Sequence, residues 1–181
     1  MEIRVMKKFP EAVLPQKAHD DDAGWDITAC RVKQFGDLYV FDTGLILEIP
    51  TGYFGAIYAR SSIMFTGMEK VGGVCVVDSG YRESISVIMR RVMSDYQLKE
   101  MRRLMAAEYP GKLHLMSPYK VGDRIAQLII QPCVMPVMGV RLFDGIAERM
   151  AVDLEPVNFV ETDHLSPTER GTGGHGSTGK N

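Results

Sequence analysis

The apolar residues of this chain fall in short runs, and nearly every run is closed within a few residues by Gly, Pro or Asp. Residues 3–6, 45–49, 54–59, 74–77, 84–89 and 124–130 are the candidate strands, several of them β-branched or alternating apolar with polar. Turns that recur at such short intervals favour an all-β barrel or sandwich over a parallel α/β sheet. One segment breaks the pattern. Ser94-Asp-Tyr-Gln97 has the spacing of a capping box, Leu98, Met101, Leu104 and Met105 then recur at helical intervals, and Pro110-Gly111 ends the run. This predicts one amphipathic helix over residues 95–108, its Met-rich stripe spent on core or subunit packing. A second, less regular stretch, 139–155, is the other place for a short helix, around 146–151.

At 181 residues, the chain has the length of one domain with a real core. The single boundary falls near residue 165, separating a β domain (1–164) from a tail (165–181). A net charge of −2 gives no electrostatic case for nucleic acid or a membrane surface. No apolar run approaches a membrane span, and MEIRVMKKF is not a signal peptide. Cys30, Cys75 and Cys133 are widely spaced in largely apolar surroundings, which reads as three buried free thiols in a cytosolic, reducing compartment.

The tail carries the densest chemistry. Arg170-Gly-Thr-Gly-Gly-His-Gly-Ser-Thr-Gly179 combines glycines, which let the backbone approach a ligand closely, with hydroxyls and a guanidinium suited to phosphate oxygens. It reads as a mobile phosphate-binding arm. Gly171-x-Gly173-x-x-Gly176 spells a dinucleotide fingerprint, but that motif must open a helix, and only five residues follow Gly176. The near-Walker stretch from Gly174 to Lys180 fails likewise, with Asn181 where Ser or Thr belongs.

Four upstream motifs keep it company. Ala23-Gly-Trp-Asp26 presents a carboxylate at a glycine turn, able to hold a metal-bound water, to orient an arginine, or simply to cap the turn. Arg60-Ser61-Ser62 makes an anion cradle if a serine opens a helical turn. Gly72-Gly-Val-Cys-Val-Val-Asp78-Ser-Gly-Tyr81 reads as a hairpin whose turn displays a carboxylate beside a flat ring. That acid can take a proton from water, and that ring can pack on a sugar or base. In Gly122-Asp123-Arg124-Ile-Ala-Gln127, the acid and the arginine read as turn contacts. Gln127, polar inside an apolar strand, requires a partner from the backbone or from a ligand.

In this order, over about residues 23–179, the five motifs resemble those of the trimeric deoxyuridine triphosphatase (dUTPase) family. The resemblance implies a distorted jelly-roll (β-clip) barrel that forms a homotrimer, with active sites shared between subunits. It implies hydrolysis of dUTP to dUMP and pyrophosphate, with Mg²⁺ held mainly by the substrate's phosphates and by waters. Asp78 resembles the aspartate that activates water for attack at the α-phosphorus, and Tyr81 the ring that packs under the deoxyribose. The backbone of residues 74–77, through Val74 and Val76, would read the uracil edge. Asp26 resembles the acid that supports the metal through water. Arg60, Ser61, Ser62 and Gln127 resemble phosphate ligands and organisers. Arg170 would reach the γ-phosphate, His175 would stack on uracil, and Gly176, Ser177 and Thr178 would wrap the phosphates.

Three positions depart from the family's usual residues: Cys75 and Glu83 stand where glycine is usual, and His175 where phenylalanine is commoner. Two segments, about 91–113 and 136–155, are additions that the family core does not require, expected as surface or interface elaboration. A deoxycytidine triphosphate deaminase shares the fold and is the enzymatic alternative. A nucleotide-dependent regulator using the 95–108 helix is the alternative from another class. Asp78 followed by Ser-Gly-Tyr, together with the full glycine-rich fifth motif, favours the triphosphatase.

Overall fold

The computed structural model describes residues 1–133 and 156–172. The second extra segment, 136–155, and the candidate helix around 146–151 lie outside the described residues. Three sheets form the body. The first has the order β11 (Asn158–Glu161), β1 (Glu2–Lys7), β5 (Leu45–Glu48). The second runs β2 (Trp25–Thr28), β10 (Arg124–Pro132), β6 (Tyr53–Ala59), β8 (Cys75–Asp78). The third runs β3 (Arg31–Phe35), β4 (Leu38–Asp42), β9 (Ser86–Arg91), β7 (Met68–Lys70). The all-β jelly-roll-like architecture agrees with the sequence reading.

Alternation along the strands decides which residues meet. Ile3 and Val5 of β1, Leu45 and Leu47 of β5, Ile57 of β6, Val87 and Met89 of β9, and Ile125 and Leu128 of β10 are at most 1% exposed and share one core. Gly55 of β6 lets the sheet close on that core, because a Cβ there would stand 2.9 Å from Leu128 Cδ1.

The stretch 72–81 is not the hairpin the sequence suggested. β8 pairs with β6, whereas β9 pairs with β4 and β7, so the turn at Asp78 connects two sheets. Tyr81 N donates to Asp78 O at 3.0 Å and closes that turn. Upstream, Gly72 and Gly73 both take positive φ (82° and 62°), which brings the chain from β7 into β8 at little steric cost.

The inserted helix α1 (Asp95–Met105) starts where expected, with both arms of the capping box formed between Ser94 and Gln97. It stops three residues short of 108, and a short 3-10 helix (Pro110–Leu115) follows. Of its apolar stripe only Leu98 is buried, its side chain lying over Gly67, while Leu104 is 63% exposed. The thiols also differ from expectation: Cys30 is buried, Cys75 half-buried and Cys133 exposed. Cys133 leaves the core because β10 ends at Pro132. Burial pushes the Cys30 thiol up from its usual value.

Glu83, one of the three departures, ties the turn at Asp78 to the N-terminal strand. Its Oε1 accepts from Lys8 Nζ and from Ser84 N, both at 2.8 Å. The Lys8 hydrogen bond holds the Glu83 carboxyl below its ordinary 4.5, and Lys8 is in turn raised above 10.5. A depressed carboxyl contributes stability above its unfolded value and loses it as pH falls through the folded one; a raised amine loses its share on the alkaline side. Glu83→Gln is therefore expected to melt slightly below the wild type between these limits, by about 0.5 kcal/mol for so exposed a pair. The two melting curves should converge in acid, which calorimetry across pH checks.

Candidate active site

Two clusters of functional side chains form at opposite ends of β6. At its C-terminal end the chain passes through Arg60 into a 3-10 helix, Ser61–Phe65, so the two serines of the motif open a helical turn. Arg60 lies over β2, where its Nε donates to Asp26 Oδ1 at 2.7 Å and its Nη2 to Oδ2 at 3.2 Å. Arg124 Nη1 reaches the same Oδ2 at 2.9 Å. It can do so because the β10–β2 register shifts between Arg124 and Ala126, a bulge that re-aims the arginine toward Asp26. Asp26, only 6% exposed, thus serves two guanidinium groups.

Gln127 stands opposite Asp26 on β2 and Tyr58 on β6. Among the described residues its amide makes no hydrogen bond, which leaves it for solvent or a ligand. Ser62 Oγ lies 3.3 Å from Arg60 Nη1 and 3.3 Å from the Tyr119 hydroxyl. Burial raises the Tyr119 phenol above 10.0, so it is a protonated donor at neutral pH. A hollow of about 280 Å³ opens here, lined by Arg60, Ser62, Tyr119, Asp123 and Arg124 among others. Asp123 makes the expected turn contacts, its Oδ2 accepting from Lys120 N at 2.9 Å.

The second cluster lies at the other end of β6, where Phe54 pairs with Asp78. β8 is the outer strand of its sheet, so the backbone groups of its unpaired side face outward. Val74 and Val76 are about half exposed along that edge (47% and 54%), while Val77 turns into the core. Cys75, Val76, Tyr81 and Arg170 share a hollow of about 190 Å³. Burial holds the Tyr81 phenol above its ordinary value.

Part of the tail returns to this cluster. Thr168 Oγ1 donates to Gly80 O, Arg82 N donates to Gly171 O at 2.7 Å, and Arg170 Nη1 pairs with Asp78 Oδ2. The Arg170 guanidinium also lies 5.9 Å from the Tyr81 ring centroid. His175, Gly176, Ser177 and Thr178 lie outside the described residues. A larger hollow of about 440 Å³ behind the turn is lined by Arg4, Glu48 and Arg82. Arg4 pairs there with Glu48 at 3.1 Å, Arg82 donates to the carbonyls of Leu47, Ser79, Tyr81 and Ser166, and Ser166 N donates to Glu48, so these groups seat the tail's root.

Arg60 follows Phe54 by six residue steps along β6 and its end, about 20 Å at 3.3 Å per residue. The carboxylate at Asp78 and the guanidinium cluster at Asp26 therefore form two separate half-sites on one chain. Sequence reasoning missed the closing role of Tyr119, for which no spacing gave a signal. It also read Arg124 as a turn contact, although the Gly-Asp-Arg motif made that residue visible.

The body is all-β, with a carboxylate turn beside an open strand edge and a second cluster of arginines and hydroxyls. A family model described as dUTPase matches residues 10–104. The deoxyuridine 5'-triphosphate nucleotidohydrolase of Nocardia farcinica is 32% identical over 174 residues, covering 94% of this chain and 81% of the relative. That of Thermobifida fusca is 31% identical over 180 residues, covering 98% and 78%. The chain belongs to the dUTPase family. Its fold is similar to the dUTPase of Staphylococcus aureus phage phi11, described with a structural Mg(II) ion, at a TM-score of 0.55 and 18% identity over 80% of this chain and 97% of that one. The dUTPase of Staphylococcus bacteriophage 80alpha, solved with dUpNHpp, also gives 0.55, at 20% identity over 98% of both chains. Among the described residues no helix is long and apolar enough to cross a membrane.

Proposed function

We propose that the chain hydrolyses dUTP to dUMP and pyrophosphate, with Asp78 as the base that activates water for attack at the α-phosphorus. The observation that carries this reading is the position of Asp78, at the end of an open strand edge and beside the hollow under Tyr81. The free backbone groups of β8 suit the hydrogen-bonding edge of uracil, and Tyr81 suits the face of a deoxyribose. In-line displacement needs little beyond an aligned water, phosphate donors and charge stabilisation. Asp78 takes the proton from the water as its oxygen bonds to the α-phosphorus, and pyrophosphate leaves as the bridging P–O bond breaks.

Arg60, Ser61, Ser62 and Gln127 contact or organise the phosphates. In the described conformation Arg170 neutralises Asp78. A γ-phosphate draws that guanidinium away and frees the carboxylate to hold its water. His175, Gly176, Ser177 and Thr178 then complete the wrap around base and phosphates.

Mg²⁺ fits as an ion brought in on the substrate. Among the described residues no group of three or more His, Cys, Asp or Glu forms a metal cage. Asp26 Oδ1 accepts a single guanidinium bond there, which leaves a lone pair for a metal-bound water. When bound, the ion would neutralise charge on the phosphates.

The hollows at Arg60 and under Tyr81, about 280 and 190 Å³, are each smaller than the roughly 300–1,000 Å³ usual for a small-molecule site. That size and the separation of the half-sites support a homotrimer in which neighbouring copies complete each other's sites. Product analysis with dUTP, dCTP, dTTP and UTP, each with Mg²⁺, tests the reading. Conversion of dUTP alone to dUMP and pyrophosphate is the expected result; deamination of dCTP would replace it with the sister chemistry. Ending the chain at Glu169 is expected to lower kcat/KM by at least about 100-fold, the scale of losing preorganised charge stabilisation. The melting temperature should move far less, which a paired kinetic and calorimetric measurement checks.

A further inference from the structure

The hollow at Arg60 has a wall that none of the five motifs supplies. After α1 the chain comes back to the body at Tyr109, whose ring meets Phe65 edge-on with centroids 5.7 Å apart. Met116 and Tyr119 are then buried, and Tyr119 N donates to Met68 Sδ at 3.3 Å. These anchors place His114 and Lys120 on the lining of the same hollow as Arg60, Ser62 and Arg124. The extra segment 91–113 supplies none of this lining; the residues that follow it, from His114 to Lys120, form one side of the hollow.

The charges around the hollow do not cancel. Arg60 and Arg124 share one counterion, the buried Asp26. Asp123 adds a second carboxylate, already accepting from Lys120 N. Against these two acids stand two guanidinium groups, the Lys120 ammonium and the His114 imidazole. Among the described residues, neither the Lys120 ammonium nor the His114 ring has a hydrogen-bond or ion-pair partner. The Ser62 and Tyr119 hydroxyls add neutral donors. A space with surplus cations, free donors and an open mouth suits a polyanion with several terminal oxygens.

We infer that His114 and Lys120 are further substrate ligands, gripping the β- and γ-phosphates that leave as pyrophosphate. The inference rests on the proposed nucleotide hydrolysis, because that reading puts the triphosphate in this hollow. The β- and γ-phosphates carry most of the triphosphate's charge, so they gain most from the unpaired Lys120 ammonium and the His114 ring N–H donor.

Inorganic pyrophosphate with Mg²⁺, titrated calorimetrically into the full chain, tests this directly. His114→Ala and Lys120→Ala are each expected to weaken pyrophosphate binding by about five- to tenfold, and to raise the KM for dUTP with little change in kcat. Inhibition by dUMP should change less than about twofold, since it lacks the departing phosphates. Lys99→Ala, on the exposed surface of α1, controls for net charge. Both test residues are exposed, so a melting curve like the wild type's is expected for each. Unchanged pyrophosphate affinity in the double variant, or an equal loss in Lys99→Ala, would overturn the inference. A wild type that binds pyrophosphate through these residues yet leaves dUTP intact would keep the inference and remove the hydrolase reading.

Discussion

Asp78→Asn is expected to lower kcat for dUTP by about 10²–10⁴-fold, the range for losing a positioned general base. The turn is closed by backbone groups, Tyr81 N to Asp78 O, and so survives, while asparagine keeps the side chain's shape and one acceptor oxygen for Arg170 to meet. Binding of a non-hydrolysable imido analogue of dUTP should therefore stay within a few-fold of the wild type. This split separates the base assignment from a merely structural one. Near-normal turnover would remove Asp78 from the chemistry, and loss of analogue binding with intact folding would make it a substrate anchor instead. Glutamate tests the geometry independently, since it restores the base but displaces the water by about one methylene length.

Asp26→Ala is expected to have the largest effect on stability. The carboxylate is nearly fully buried and accepts from both Arg60 and Arg124, and Arg60 is itself only 21% exposed. Removing the acid leaves two guanidinium groups facing each other without a counterion, a loss on the order of 3 kcal/mol. For a domain of this size that corresponds to a melting temperature lower by roughly 10 °C. Activity should fall further than stability, because Arg60 and Arg124, which line the hollow proposed for the phosphates, lose the group that aims them. Asp26→Asn separates the two effects: it keeps acceptor geometry on one oxygen, so it should recover part of the stability but little of the activity. A melting curve for Asp26→Ala matching the wild type would show that the arginines find other partners.

These two sites differ in how legible they were beforehand. Asp78 and Tyr81 stand three residues apart within one turn, so the chain itself makes them neighbours and the motif could be read from spacing. Asp26, Arg60 and Arg124 are brought together by the order β2-β10-β6 and by a bulge in β10, neither of which leaves a mark in local sequence. The same distinction runs through the fold. Strands with buried alternation, such as β1, β5 and β6, were found within a residue or two. β3 was missed because all five of its residues are exposed, so nothing marks an inward face. β11 was missed because it is held by parallel pairing to β1, some 150 residues away in sequence. The capping box of α1 was legible because it is written in four consecutive residues. How far the helix extends was not, since Leu104 meets nothing that would hold a further turn.

The distance along β6 has a genetic consequence. If one chain's Asp78 works with its neighbour's arginine cluster, two separately inactive chains carry complementary defects. An Asp78→Asn chain mixed and reassembled with a chain defective at Arg60 should regain activity, with about a quarter of the mixed sites receiving both intact halves. Two alleles dead in isolation would then sustain a cell that carries both.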